Sequence, residues 1–360
     1  MFTDAGRRSA AEWVWYANSR GAAACRTALA PFSWLFARGV AWRNAGFDRS
    51  AVPSPPIPAM SIGNLTVGGT GKTPVSSWFA NRLRERGGHP ALVLRGYGDD
   101  EWKVHQLLTP ELRVLVNPDR LSALREAKAS QADCAVLDDA FQHRRAPRVS
   151  DIVLISADRF DGSVRMLPAG PYRESLTALR RATALIITVK AASTRQVDAV
   201  CAAALAVRAD LPVAVVRLVP AGVRRVVSEN GTRALPAVEE HGMEWVHGRA
   251  MLLTSAIADA DAFEQQVVAH GVQLVRHLRF PDHHAFTAAD VAQLSRDAQG
   301  SSGVLCTLKD AVKLGPLWPR EAVPLWYVSQ TLVVDRGAEV LERECDRVLV
   351  ARTATVPTAG

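Results

Sequence analysis

The chain is short of the features that mark secreted, metal-clustered or membrane-spanning proteins. Its 360 residues contain five cysteines, Cys25, Cys134, Cys201, Cys306 and Cys345, scattered and mostly within apolar runs. Such spacing excludes a disulfide framework and a zinc site, and it suits a reducing compartment. In the amino-terminal segment the longest run free of charge is Thr27–Ala37. A bilayer span needs about 20 apolar residues, so this run is too short to cross, and no secretory cleavage pattern accompanies it. Repeats of fixed period and low-complexity tracts are missing apart from the last few residues. Acidic excess is missing too: 43 Lys and Arg stand against 36 Asp and Glu, for a net charge of +7. A basic chain favours an anionic partner such as a nucleotide, a phosphorylated substrate, a phospholipid surface or a nucleic acid, and charge alone does not choose among them.

What is present describes a folded protein. Hydrophobic residues make up 48% and charged residues 22%, and the length allows two domains with cores of their own. Ser9 followed by Glu12 forms a capping box that predicts a helix carrying Trp13, Val14, Trp15 and Tyr16. Pro31 is expected to open a second apolar helical segment with Phe32, Trp34, Leu35, Phe36, Val40 and Trp42. Arginines 20, 26, 38 and 43 interleave with these aromatics. The pattern fits helices lying in a membrane interface, and equally a helical hairpin packed on a domain.

The most informative stretch is Ser61-Ile-Gly-Asn-Leu-Thr-Val-Gly-Gly-Thr-Gly-Lys-Thr-Pro74. An apolar strand candidate at residues 58–62 precedes it, and a helical pattern from Val75 to Arg86 follows, stopped by Gly87-Gly88. Residues Thr66, Val67, Gly68, Gly69, Thr70, Gly71, Lys72 and Thr73 read as a phosphate cradle. Glycines let successive backbone N–H groups turn inward, Lys72 reaches the β- and γ-phosphates of ATP, and the Thr73 hydroxyl ligates Mg²⁺. The helix adds its positive end to the same charge. The usual pattern has a glycine where this chain has Thr66.

Beyond the proline-rich segment 52–58, strand and helix patterns alternate. Strands are expected at Ala91–Leu94, Val114–Val116, Cys134–Leu137, Ile152–Ile155, Leu185–Val189 and Val213–Leu218, with helices at Val75–Arg86, Arg120–Ala129 and Thr194–Arg208. This alternation predicts an α/β fold: a P-loop NTPase-type, mostly parallel sheet domain that binds ligands at the carboxyl ends of its strands. A polar stretch, Ala221–Gly248, reads as a linker or insertion. A second, smaller α/β alternation follows, with strands at Met251–Ile257, Val272–Leu278 and Val304–Thr307 and helices at Ala260–His270 and Ala288–Ala298. The expected division is therefore amphipathic helices at 1–50 belonging to the first domain, a P-loop core at 51–225, a smaller α/β domain with linker strands at 226–335, and a terminal helix and tail at 336–360.

Three further clusters carry chemistry. The strand ending in Leu137-Asp-Asp-Ala-Phe-Gln-His143 delivers Asp138 and Asp139 beside the phosphate loop, where one acid can ligate Mg²⁺ and the other orient it. Arg95-Gly-Tyr-Gly-Asp-Asp-Glu101 places Asp99 or Asp100 at the carboxyl edge of the sheet, as a base, a metal partner or an acidic turn. In Phe280-Pro-Asp-His-His284, two histidines without a ligand set of metal spacing suit a proton relay or an ordinary surface loop.

Taken in order, the phosphate loop, Arg95-Gly-Tyr-Gly98, Asn117-Pro-Asp-Arg120, Leu137–His143, Leu167-Pro-Ala-Gly-Pro-Tyr-Arg-Glu174 and Phe280–His284 resemble the tetraacyldisaccharide 4′-kinases of lipid A biosynthesis, over about residues 10–330. That family also lacks the first loop glycine. The resemblance implies transfer of the γ-phosphate of ATP to the 4′-hydroxyl of a tetraacyldisaccharide 1-phosphate, giving lipid IV-A. It implies a peripheral enzyme without a membrane span on the cytoplasmic face of the inner membrane, with the lipid A precursor and the membrane surface as partners and no nucleic acid. By resemblance, Lys72 and Thr73 hold nucleotide and Mg²⁺, Asp138 and Asp139 are the metal acids, and Asp100 with His283 forms a base dyad. Arg120, Gln142, His143, Arg173 and Glu174 line the substrate side, with Arg120 and Arg173 as grips for the 1-phosphate. Two departures stand out. The segment between Gly98 and Glu101 is short, which leaves Asp99 as an alternative base, and Leu308 replaces the acid of the family's Thr-Glu-Lys-Asp stretch.

Two other readings compete. One is a phosphotransferase of soluble substrates. The other is a partitioning-type ATPase, although Val67 stands where such ATPases carry a lysine.

Overall fold

The computed structural model describes residues 10–50, 54–96, 101–226, 239–257, 259–282 and 284–354. The Ser9 cap, Asp99, Asp100 and His283 lie outside them. The described residues divide into two compact units, one built from those between 10 and 96, 108 and 217, and 332 and 354, the other from 101–107 and those between 218 and 331.

The larger unit contains strands β1 (Ala59–Asn64), β2 (Pro90–Leu94), β3 (Arg113–Val116), β4 (Cys134–Asp138), β5 (Ser150–Ser156), β6 (Ala184–Val189) and the start of β7 (Val213–Arg225). They are ordered β7-β6-β5-β1-β4-β2-β3 and every pair is parallel. Strands β1, β2, β4, β5 and β6 are buried along their whole length, as a parallel sheet covered on both faces demands. The layers come from α3 (Lys72–Glu85), α5 (Arg120–Ala129), α6 (Thr194–Val207) and α10 (Ala338–Ala354), while α1 (Ala10–Tyr16) and α2 (Arg20–Asp48) precede the sheet. Helix α4 is Glu101–Leu108. One buried carboxylate pins α10: Glu344 accepts from Ser150 Oγ and Thr183 Oγ1, both at 2.6 Å.

After β1 the chain passes to strands on one side, β2 to β4, and then to β5–β7 on the other. The order reverses beside β1, and a crevice at the strand ends of such a reversal is where open α/β sheets bind ligands.

The smaller unit holds the remainder of β7, β8 (Glu240–Gly242), β9 (Ala250–Ser255), β10 (Gln273–Arg279), β11 (Val304–Thr307) and the start of β12 (Leu325–Arg336). Their order is β10-β9-β11-β12-β7, with β8 antiparallel to β7. Helices α7 (Ala260–Val268), α8 (Ala288–Asp297) and α9 (Leu308–Leu314) join them.

Two expectations need correction. No second helix starts at Pro31: α2 is a single helix of 29 residues that runs through it. An interior proline costs a helix about 3 kcal/mol, and here tertiary anchors follow it along the helix. Ser33 Oγ donates to Met166 O and accepts from Ala169 N, both at 3.0 Å, and Asn44 Nδ2 donates to Glu174 Oε2 at 2.9 Å. The stretch from Ala221 is not simply a linker either. Strand β7 continues to Arg225, β8 pairs with it, and Val223, Met243 and Val246 are core residues. Its polarity lies in ion pairs across this ribbon, Arg224–Glu240 and Arg225–Glu239 at 2.7 and 3.2 Å.

Candidate active site

The loop that leaves β1 is held from three directions. Residues 171–174 lie alongside it: Val67 N donates to Pro171 O at 2.8 Å, Arg173 N to Leu65 O at 2.7 Å, and Thr66 bridges Tyr172. From β6, Thr188 Oγ1 donates to Thr70 O at 3.0 Å. Helix α3 then begins directly from Gly71, which caps it at φ +78°. Gly68 sits at φ +109°, and a Cβ there would meet Arg159 Nη1 at 3.0 Å. Both positions need glycine for the backbone to curl. Thr66, Val67, Gly68, Gly69, Thr70, Gly71, Lys72 and Thr73 are therefore one preformed concave turn at a helix N-terminus, the geometry that attracts phosphate.

At the end of β4 the two acids separate, because Asp138 closes the strand and Asp139 already lies in the turn that follows. Asp138 is buried, and its Oδ1 accepts from Ser76 Oγ at 2.8 Å. Ser76 lies on the first turns of α3, so this bond ties the acid to the helix that carries Lys72 and Thr73. Asp139 adopts the left-handed conformation at φ +47°, a strain of about 1 kcal/mol or more that is retained mainly at functional sites. The turn aims its carboxylate at two cations. Lys72 Nζ lies 3.8 Å and Arg173 Nη2 3.0 Å from Asp139 Oδ1. Burial alone would raise the Asp139 carboxyl, but Lys72, Arg173 and Arg120 outweigh it and hold the group below the ordinary carboxylate range.

The expected substrate-side residues fall into two groups. Arg173 also donates to the Asn64 side chain, and Gln142 Nε2 donates to Asn64 O at 2.7 Å. Arg173, Gln142 and Asp139 thus meet at the end of β1, where Gln142 Oε1 and Asn64 Nδ2 are buried without a hydrogen-bond partner among the described residues. His143 follows on the same turn. Burial and then the neighbouring Arg120, Arg95 and Arg148 lower its pKa, favouring the neutral ring. Arg120 and Glu174, by contrast, point into the protein. Arg120 is 1% exposed and donates to Asn117 O at 2.7 Å and Asp138 O at 3.2 Å. Glu174 is 1% exposed, paired with Arg181 at 2.9 Å and with Asn44.

The residues present fit a bound nucleotide with Mg²⁺. The loop offers turned backbone amides and a lysine, and the Thr70 hydroxyl is buried within it without a partner among the described residues. Thr73 and Asp138 supply the hydroxyl and carboxylate oxygens that a hard cation takes. Sequence reasoning missed Ser76, Asn64 and Thr188. Ser76 alone left a signal, since it stands four residues after Lys72 and so on the same helix face.

In the smaller unit, His277 connects Ser255 Oγ at 2.8 Å to Glu264 Oε2 at 2.7 Å. The connectivity is that of a serine nucleophile relay, but Ser255 is fully buried and no substrate can reach it. The motif Phe280–His284 is held at both sides of His283. Lys309 pairs with Asp282 at 3.9 Å, Lys313 Nζ donates to His284 O at 3.2 Å, and the His284 ring meets Asp290 at 3.1 Å.

A parallel sheet with a glycine-rich loop at its order reversal, a lysine at the helix start and acids on the neighbouring strand define a P-loop nucleotide-binding protein. The family model described as tetraacyldisaccharide-1-P 4′-kinase matches residues 25–349, and the chain belongs to that family. A tetraacyldisaccharide 4′-kinase of Anaeromyxobacter dehalogenans is 34% identical over 346 residues, covering 87% of this chain and 88% of the relative. One from Halorhodospira halophila is 31% identical over 325 residues, covering 85% and 88%. Among solved structures, LpxK from Aquifex aeolicus, an "apo" form in complex with ATP, has the same fold at a TM-score of 0.70 and 24% identity, with 90% of this chain and 99% of that one covered.

Proposed function

We propose that this chain transfers the γ-phosphate of ATP to the 4′-hydroxyl of a tetraacylated glucosamine disaccharide 1-phosphate. The observation that carries the reading is the joint between Ser76 and Asp138, which fixes the phosphate loop and the metal acid as one rigid unit. Lys72 and the amides of residues 68–73 bind the transferring phosphate, and Thr73 and Asp138 hold Mg²⁺, which offsets charge on the β- and γ-phosphates when bound. Arg173 and Lys72 keep Asp139 ionised at neutral pH, so it is available to the metal's shell. Asp100 with His283 accepts the hydroxyl proton as the new O–P bond forms and the bond to ADP breaks. Asp99 is the alternative base. Positioning and fixed charge supply most of the acceleration in such transfers.

Arg173 and Gln142 face the acceptor sugar. Arg120 and Glu174 act one layer back, Arg120 by holding the Asp138–Asp139 turn and Glu174 by anchoring α2. The enzyme works as a peripheral protein on the cytoplasmic face of the inner membrane. Helix α2 supports this: Phe32, Trp34, Leu35 and Trp42 are 59–83% exposed on it, arginines accompany them, and Asp48 is its only acid. Among the described residues no helix is long and apolar enough to cross a membrane.

The test is transfer of labelled γ-phosphate to the disaccharide 1-phosphate in detergent micelles with Mg²⁺. A labelled lipid that Lys72→Ala cannot make supports the reading. Transfer only to small soluble sugars, or ATP hydrolysis with no acceptor, would overturn it.

A further inference from the structure

One group of arginines has no part in the phosphoryl-transfer site. Where α2 ends, an open groove of about 700 Å³ runs against the start of α5 and the turn after His143. Arg43 and Arg49 line one side, Arg144 and Arg145 the other. Arg144 is already engaged: it donates to Asn44 O at 3.0 Å, pairs with Asp48 at 2.5 Å and lies over the Phe47 ring at 5.6 Å. Its role is to fix the wall. Arg43, Arg49 and Arg145 are exposed, and no acidic partner for them occurs among the described residues. Asp48, the single acid of α2, is spent on Arg144.

Ser50 apart, the rest of the lining is apolar. Trp42, 83% exposed, and Leu121 face the same space as the three cations. A site for a bare anion has no use for an indole and a leucine, whereas an amphiphile with a negative head uses both. The volume falls within the range of small-molecule pockets, about 300–1,000 Å³. Trp42 is also seven residues, two helical turns, from Leu35, which in turn follows Phe32 by three. These exposed side chains share one side of α2, and the groove lies at the end of it.

We propose that this groove binds the headgroup of an anionic glycerophospholipid. Arg43, Arg49 and Arg145 meet the phosphodiester through charge-assisted hydrogen bonds, and the first methylenes of an acyl chain lie on Trp42 and Leu121. The proposal rests on the interfacial reading of α2 and adds to it a lipid class and a place. The site orients the enzyme on the bilayer, so that α2 contributes area and the groove contributes selection for negative lipid.

The experiment compares full-length protein with Arg49→Gln/Arg145→Gln, and with Arg20→Gln/Arg38→Gln as a control of equal charge change on α2 away from the groove. Calorimetric titration with soluble dihexanoyl phosphatidylglycerol is expected to show saturable one-to-one binding. The groove variant should weaken it by about tenfold or more and the control by far less, given about 1 kcal/mol for each cation at a lipid surface. Partition onto phosphatidylcholine vesicles should rise when phosphatidylglycerol is added, and the groove variant should lose most of that rise. Equal losses in both variants would overturn the proposal in favour of diffuse charge. Equally tight binding of inorganic phosphate would reduce the groove to an anion site and overturn it too. A raised KM for the disaccharide 1-phosphate in neutral micelles, with phosphatidylglycerol binding intact, would hand the groove to the substrate's own phosphate. If the parent partitions onto neither vesicle, the interfacial reading of α2 fails, while saturable binding of the soluble lipid would still support the groove.

Discussion

Ser76 Oγ donates to Asp138 Oδ1 at 2.8 Å and thereby joins the helix of the phosphate loop to the strand of the metal acids. The two groups come from separate βα units, 62 residues apart in sequence. The bond decides where the acid's carboxylate lies relative to Thr73.

Ser76→Ala should therefore act on the metal. We expect a loss of about 10- to 100-fold in apparent Mg²⁺ affinity, the usual cost of removing a partner of a ligating group, and about 1 kcal/mol of stability. Titration of activity against Mg²⁺ measures the first and denaturant unfolding the second. Ser76→Thr should restore part of the metal response. An unchanged Mg²⁺ titration would show that Asp138 does not need this hydroxyl.

Lys72→Met should lower the transfer rate on the order of 10²–10³-fold, the range for deleting one fixed charge from a site. It should also raise the pKa of Asp139, because burial there is outweighed largely by Lys72 and Arg173. Carboxyl titration followed by NMR in the variant reads this directly. No movement of Asp139 would mean that the 3.8 Å pair carries little coupling.

Glu174→Ala should unfold the protein more readily before it affects the acceptor. The carboxylate is buried between Arg181 and Asn44, and stripping one partner from a buried pair costs about 3–5 kcal/mol. Expected is a large drop in Tm, with KM for the disaccharide close to the parent's in protein that remains folded. A normal Tm with a raised KM would place Glu174 on the substrate instead.

Asp310 gives a pH prediction. It is fully buried, accepting from Ala256 N at 3.2 Å and Thr307 Oγ1 at 2.6 Å. Burial raises its pKa from 3.8 to about 6, against the opposing pull of those hydrogen bonds and of Lys313 and Lys309. The folded state holds the proton more tightly than the unfolded chain. Its contribution is thus fully present below about pH 4 and fades as pH rises through 6, by about 3 kcal/mol in all. Asp310→Asn should remove that slope. Unfolding free energies measured at pH 4.5 and 7 should differ less in the variant than in the parent, and an equal difference would refute the assignment.

The phosphate loop was legible in sequence because its chemistry is local. Three glycines, a lysine and two threonines within six residues carry their conformation with them. The buried strands were legible for a related reason, since a fully covered parallel strand is an unbroken apolar run. Helix α2 was not legible as one piece: propensity breaks it at Pro31, and what keeps it whole is Ser33 gripping residues 166 and 169, a contact no local pattern announces. The ribbon of β7 and β8 was hidden in the same way, because the side chains that pair across it are charged.

By itself the sequence determined which residue types could hold a nucleotide and in what order the βα units would run, because backbone freedom and hydropathy act over a few neighbouring residues. Tertiary structure alone decided which way each polar side chain faces. It turned Arg120 and Glu174 inward onto partners supplied from elsewhere in the chain, set Asp139 between two cations, and gathered arginines from two segments around one groove. A buried charge must find its counter-charge wherever the packed layers bring one, and that partner is fixed by distance in space, not by distance along the chain.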